Sequence, residues 1–227
     1  MKALLILLCA VPILASLLVA NIFGFRRLYK AGELSSDLET ILKKLSTKYG
    51  KLNYEFKKRT WVGIPLNGNG VALIDEKYRH STSSAEIAKQ LISLGLSGLW
   101  DDHQKLIRWR IKYIKLGYIL PPLTFVGCVL GTIVGRVPAM WTIIIVGLVL
   151  AGCISFLWFS RSVEKEAAAQ MASLIEHTRV LPRASEEEDL IDAIHAWTWV
   201  SVLPGIAISF LMKKGPKQVG ELVRKKL

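Results

Sequence analysis

Four stretches of this chain, residues 3–25, 116–135, 137–160 and 193–212, run for about 20 residues or more without an Asp, Glu, Lys or Arg, enough to cross a hydrocarbon layer of about 30 Å. A soluble fold would have to wrap all four as buried helices. The chain has 227 residues, 52% of them hydrophobic, and a mean hydropathy of +0.36, so too little polar chain remains to do this. The expected fold is therefore a mostly α integral membrane protein, with about four transmembrane helices and a small α+β module on the charged side of the membrane.

The first stretch is longer than the apolar core of a cleaved signal peptide, and only Lys2 precedes it, so it reads as a retained anchor. Cys9 follows Ile6, Leu7 and Leu8 and lacks the small neighbour that a lipidated cysteine needs. Cys9, Cys128 and Cys153 all lie in apolar stretches and read as small packing residues, with no disulfide framework.

The net charge of +12 is unevenly spread. Residues 26–115 hold 18 Lys/Arg against 9 Asp/Glu, a net of +9, and residues 161–192 hold 4 against 8, a net of −4. Arg26, Arg27 and Lys30 follow the first stretch, and Arg108, Arg110, Lys112 and Lys115 precede the second. The positive-inside rule then places residues 26–115 in the cytoplasm of a multi-pass cell-membrane protein. The partners implied are the lipid bilayer and other membrane proteins, with no nucleic acid, because anionic headgroups already match cations beside the membrane. One conflict remains: four full spans would carry the tail, 213–227, with six Lys/Arg and one acid, to the opposite side. Pro204 and Gly205 allow residues 193–212 to be a broken or re-entrant helix instead.

Local patterns divide the chain into an anchor (1–25), a helix–strands–helix module (26–115), a membrane hairpin (116–160), an amphipathic helical segment (161–192), a fourth transmembrane or re-entrant helix (193–212) and a basic tail (213–227). Ser36 and Glu39 form a capping box before Leu38, Ile41, Leu42, Leu45 and Tyr49, and Gly50 stops that helix. Alternation at Leu52, Tyr54 and Phe56, an extended run over 61–66, the turn at 67–70 and a run over 71–74 predict two or three strands. Ser83 and Glu86 open a second helix that is expected to continue past Trp100 to Lys115. Pro121 and Pro122 should kink the second span. The acids Glu186, Glu187, Glu188 and Asp189 suit the N-terminus of the next helix.

The run Phe25-Arg26-Arg27-Leu28-Tyr29-Lys30, residues 71–78 leading into 85–100, Ser160-Arg161-Ser162-Val163-Glu164-Lys165-Glu166-Ala167 and Ala196-Trp197-Thr198-Trp199-Val200 together resemble the YugP-type neutral zinc metallopeptidases. The resemblance implies a zincin-like module with its catalytic helix at 85–100 and a third zinc ligand at Glu164. That chemistry uses His-Glu-x-x-His, because spacing i, i+4 puts two imidazoles on one helix face while the Glu polarises a water. With the family's glycine placed on Gly95, the positions for His, Glu and His hold Ile92, Ser93 and Leu96; placed on Gly98, they hold Gly95, Leu96 and Leu99. Neither register supplies the ligands. The chain is thus expected to be a pseudoenzyme with no catalytic residue and no cofactor, keeping a scaffold or protein-interaction role.

Two alternatives stand beside this. One is a membrane metallohydrolase binding zinc through Asp102, His103 and Glu164; the other is a membrane structural subunit unrelated to peptidases. Glu164 itself reads as a solvated charge near a helix N-terminus. His80, His103, His177 and His195 show no metal spacing with one another, and Trp100, Trp109, Trp158, Trp197 and Trp199 read as membrane-interface anchors.

Overall fold

The computed structural model describes residues 2–50, 52–58 and 64–214. The chain is mostly helical, and three of its helices are long and apolar enough to cross a membrane: Leu4–Lys30, Trp100–Ile133 and Ala139–Phe159. Only 17%, 17% and 28% of the residues in their most apolar stretches are buried by the rest of the chain. The outward faces carry Leu7, Leu14, Leu18, Leu123, Phe125, Leu130, Ile143 and Phe156, a surface suited to lipid and not to water.

The first of these rods joins α1 (Lys2–Val19), a π-helical turn (Ala20–Phe25) and α2 (Arg26–Lys30). The π-turn falls where the rod passes a later helix so closely that a Cβ on Gly24 would lie 2.5 Å from Val200 Cγ2. Lower down, α1 packs along α6 (Ala139–Phe159), with Cys9 against Gly147 and the Trp158 indole N–H donating to Ser16 Oγ at 2.8 Å. In turn α6 pairs with α5 (Trp100–Ile133) as the expected hairpin. Its turn has Gly135 at φ +76, and the N–H groups of Arg136 and Val137 both donate to the Gly131 carbonyl.

The charged module starts with α3 (Leu38–Tyr49). Its N-cap is Asp37, one residue after the expected Ser36, and the Asp37 carboxylate accepts the Thr40 N–H at 3.1 Å. β1 (Tyr54–Lys57) and β2 (Ala72–Asp75) form a two-stranded parallel sheet, Tyr54 opposite Ala72 and Phe56 opposite Ile74. Of the extended run expected over 61–66, residues 61–63 lie outside the described residues, and Leu66 makes an antiparallel bridge to Ala72. Asn67 Oδ1 accepts the N–H groups of Asn69 and Val71, both at 2.9 Å, which folds the chain back onto β2. Gly70 sits at φ +79 against the Trp100 indole, where a Cβ would come within 2.3 Å of the ring.

Ser83 is the N-cap residue of α4 (Ser84–Gly98), but Glu86 takes the Ser81 hydroxyl at 2.6 Å instead of closing a box with Ser83. The helix does not continue to Lys115. It ends at Leu99, α5 begins at Trp100, and the backbone leaves helical angles again at His103 (φ −124, ψ 27), while Pro121 and Pro122 are carried inside α5. This bend lies between the module and the long apolar part of α5.

Beyond the hairpin, α7 (Arg161–Thr178) and α8 (Ala184–Val200) pack on α4 and on each other. Segments 26–100 and 161–200 therefore share one core, built around Leu38, Leu42, Leu45, Ile87, Leu91, Ile175, Leu190 and Ile194. Among the described residues, the apolar stretch 193–212 does not form a fourth helix long enough to span a membrane. Its first part is the end of α8, buried in the module. The chain then turns at residues 201–204 into α9 (Gly205–Lys214), which is only 10 residues long, or about 15 Å, too short to cross. A topology in which only these three helices cross would bring the chain back to the module's side after the third, without the charge conflict of four spans. Residues 215–227 of the basic tail lie outside the described residues.

Candidate functional site

Where α4 crosses α7, a Cβ on Gly95 would lie 2.6 Å from the Ala167 carbonyl oxygen, so glycine lets the two backbones touch. That approach presents the face of α4 bearing Ile92, Ser93 and Leu96 to the first turn of α7, which carries Glu164. All four residues line one cavity, enclosing about 700 Å³ of space with its open mouth included. Arg110, Ile114 and Tyr118 of α5, Trp197 of α8, Leu203 of the following turn, and Gly205 and Ile208 of α9 complete much of its wall, with Lys89 also in the lining. The module and the long apolar helix α5 thus meet at this cavity.

Glu164 is not a solvated charge. It is 5% exposed, and its Oε1 accepts a 2.8 Å hydrogen bond from Nε of Arg110, which is 0% exposed. Arg110 also donates to the Leu157 carbonyl (2.7 Å), Ser160 Oγ (2.9 Å) and the Ser201 carbonyl (2.8 Å). One guanidinium therefore ties α5 to the end of α6, the start of α7 and the turn after α8. Its fork of planar donors suits that role, whereas a lysine would offer a single point charge. The second Glu164 oxygen, Oε2, is buried with no hydrogen-bond partner among the described residues.

A second buried guanidinium stands beside this pair. Arg161, 4% exposed, donates to the Thr198 carbonyl at 2.7 Å and lies 3.4 Å from the centre of the Trp199 ring, with Trp158 on another side. Burial pushes its guanidinium below the ordinary arginine range; Glu164 opposes that shift and Arg110 adds to it. Trp197 is buried and its indole N–H donates to the Ala85 carbonyl at 2.5 Å. Trp100 is buried against Gly70. Four of the five tryptophans read as interface anchors thus hold the module and its junction together; Trp109, 45% exposed, is free of that burial.

Comparison with protein-family models, with curated proteins and with solved structures finds no match to this chain.

The donor set decides what the cavity can hold. Alkyl groups from Ile92 and Leu96 offer no lone pair, Ser93 is a poor zinc ligand, and the one usable Glu164 oxygen pair is already half engaged by Arg110, so these residues do not fit a catalytic zinc. Asp102, His103 and Glu164 are not brought together either. The His103 imidazole pairs with Glu166 at 3.2 Å, Asp102 is exposed, and Glu164 faces the cavity on Arg110. Among the described residues, no group of three or more His, Cys, Asp or Glu is arranged to hold a metal. His80 pairs with Asp37. The acids of α8 serve its junction with the linker: Glu186 accepts both the N–H and the hydroxyl of Ser35, which holds its carboxyl below the usual range, and Glu187 accepts the Leu181 N–H.

Arg110 is the residue that sequence reasoning missed, because it stood among Arg108, Lys112 and Lys115 as one more membrane-flanking cation. A signal was present. Ile107, Arg110, Ile114, Gly117 and Pro121 recur at spacings of three and four, so Arg110 lies on the inward stripe of α5 while its cationic neighbours lie off it. A charge in line with an apolar stripe needs a buried partner.

Proposed function

We propose that this protein is a non-catalytic, membrane-embedded scaffold built on a zinc-peptidase-like plan, with binding in place of hydrolysis. The observation that carries the reading is the cavity itself. Ile92, Ser93, Leu96 and Glu164 line it together, in the arrangement the family resemblance implies for His, Glu, His and the third ligand, and an arginine takes the carboxylate that a metal would need. In this reading the three apolar helices span the cell membrane, and the module faces the cytoplasm, where its net positive charge belongs.

Zinc analysis of the full chain purified in mild detergent tests this. The wild type should contain no stoichiometric zinc. The variant Ile92→His/Ser93→Glu/Leu96→His/Arg110→Met, which supplies two imidazoles and frees Glu164, should take up zinc, and adding Glu164→Gln should abolish uptake. Activity need not return, since the groups that orient the imidazoles are not supplied. Zinc in the wild type, or a chelator-sensitive peptidase activity lost on Glu164→Gln in a sample that elutes as the wild type does, refutes the proposal. A folded variant that stays metal-free refutes the placement of the glycine on Gly95.

A further inference from the structure

We infer that the cavity between α4, α5, α7 and α9 binds a single-chain amphiphile with an uncharged hydroxyl head, of the monoacylglycerol or fatty-alcohol class, its hydroxyl donating to Glu164 Oε2. The inference rests on the non-catalytic reading only in that Glu164 carries no metal. Three features select the ligand. Leu96, Ile114, Leu203 and Ile208 give the cavity apolar walls, and its mouth is open, so a chain can extend beyond it.

The second feature is the carboxylate. Glu164 is buried and lines the cavity, Arg110 occupies only Oε1, and Oε2 lacks a donor. A buried acceptor left unpaired is costly, so a ligand that brings a donor gains what the protein alone forgoes. Hydroxyl-to-carboxylate bonds are among the short, strong ones.

The third feature is charge. Around the Glu164 carboxylate stand Arg110 and Arg161, two guanidinium groups against one carboxylate. An ammonium head would enter a surplus of like charge. A carboxylate head brings no proton to Oε2 and repels Glu164 at short range. A neutral donor meets neither penalty. Location agrees with this choice: Ile114 and Tyr118 belong to the start of a membrane-crossing helix, so the cavity lies at the level where a lipid-derived amphiphile resides.

The test is equilibrium binding of four chain-matched probes, 1-monooleoylglycerol, methyl oleate, oleylamine and oleate, to the full-length protein in nanodiscs. The monoacylglycerol should bind saturably and at least about tenfold more tightly than the other three. Ile208→Trp, at the half-buried edge of α9, should weaken it by at least about tenfold, and Leu123→Trp on the lipid-facing side of α5 should leave it unchanged. Equal binding of methyl oleate, preference for oleate or oleylamine, or indifference to Ile208→Trp overturns the inference. Stoichiometric zinc in the same preparation overturns the non-catalytic reading, a separate readout that leaves the two failures distinguishable.

Discussion

Replacing Arg110 by Met removes the charge from the middle of a buried junction and leaves the Glu164 carboxylate buried without its ion. Removing one partner of such a pair costs about 3–5 kcal/mol. The carbonyls of Leu157 and Ser201 also lose a donor, so the upper end of that range is expected. Against a total stability of about 5–15 kcal/mol this is a large fraction. At about 2–4 °C per kcal/mol for a chain of this size, Tm should fall by about 6–20 °C. Thermal unfolding of the detergent-solubilised chain, followed by the recovery of the monodisperse peak after heating, reads the change. The double variant Arg110→Met/Glu164→Leu exchanges the pair for apolar groups of similar bulk and should recover about 1–3 kcal/mol relative to Arg110→Met alone. A Tm for Arg110→Met within about 2 °C of the wild type, or strict additivity in the double variant, would refute the view that this pair fastens the membrane helices to the module.

In a background with Cys9, Cys128 and Cys153 replaced by Ser, single cysteines at Asn69 and Arg179 should both be shielded from an impermeant reagent on intact cells, and one at Arg136 should be labelled. Labelling at Asn69 reverses the orientation, and labelling of Asn69 or Arg179 alone refutes three spans. The acid side of stability should depend on Glu39: hydrogen bonds from Arg79, with help from Lys43, hold its carboxyl at about 2, below the ordinary value of 4.5. Because the folded state favours the ionised form, that contribution is present above pH 4.5 and is lost as pH falls toward 2. Arg79→Gln should therefore flatten the fall in Tm across that window, and parallel curves for the two proteins would show that the pair contributes nothing.

Residues 3–25, 116–135 and 137–160 were legible from the sequence as parts of long apolar helices, because a charge-free run of that length meets the requirement for crossing a membrane within the run itself. Helix ends were nearly as legible: Gly50 stops α3, and Ser83 marks the start of α4. The stretch 193–212 shows where composition stops deciding. It is as free of charge as the others, yet it splits into a module helix and a short one, because Trp197 and Val200 meet α4 and the π-helical turn and Pro204 interrupts the helical hydrogen bonds. The candidate positions Ile92, Ser93, Leu96 and Glu164 came from the family resemblance; helical spacing accounts only for the first three lying near one another on α4. That Glu164 is buried, that Arg110 rather than water answers its charge, and that one of its oxygens is left without a donor follow from the packing of α5, α6 and α7, segments distant in sequence. The free energy of a buried charge is set by which groups surround it, and only the tertiary structure brings those groups together.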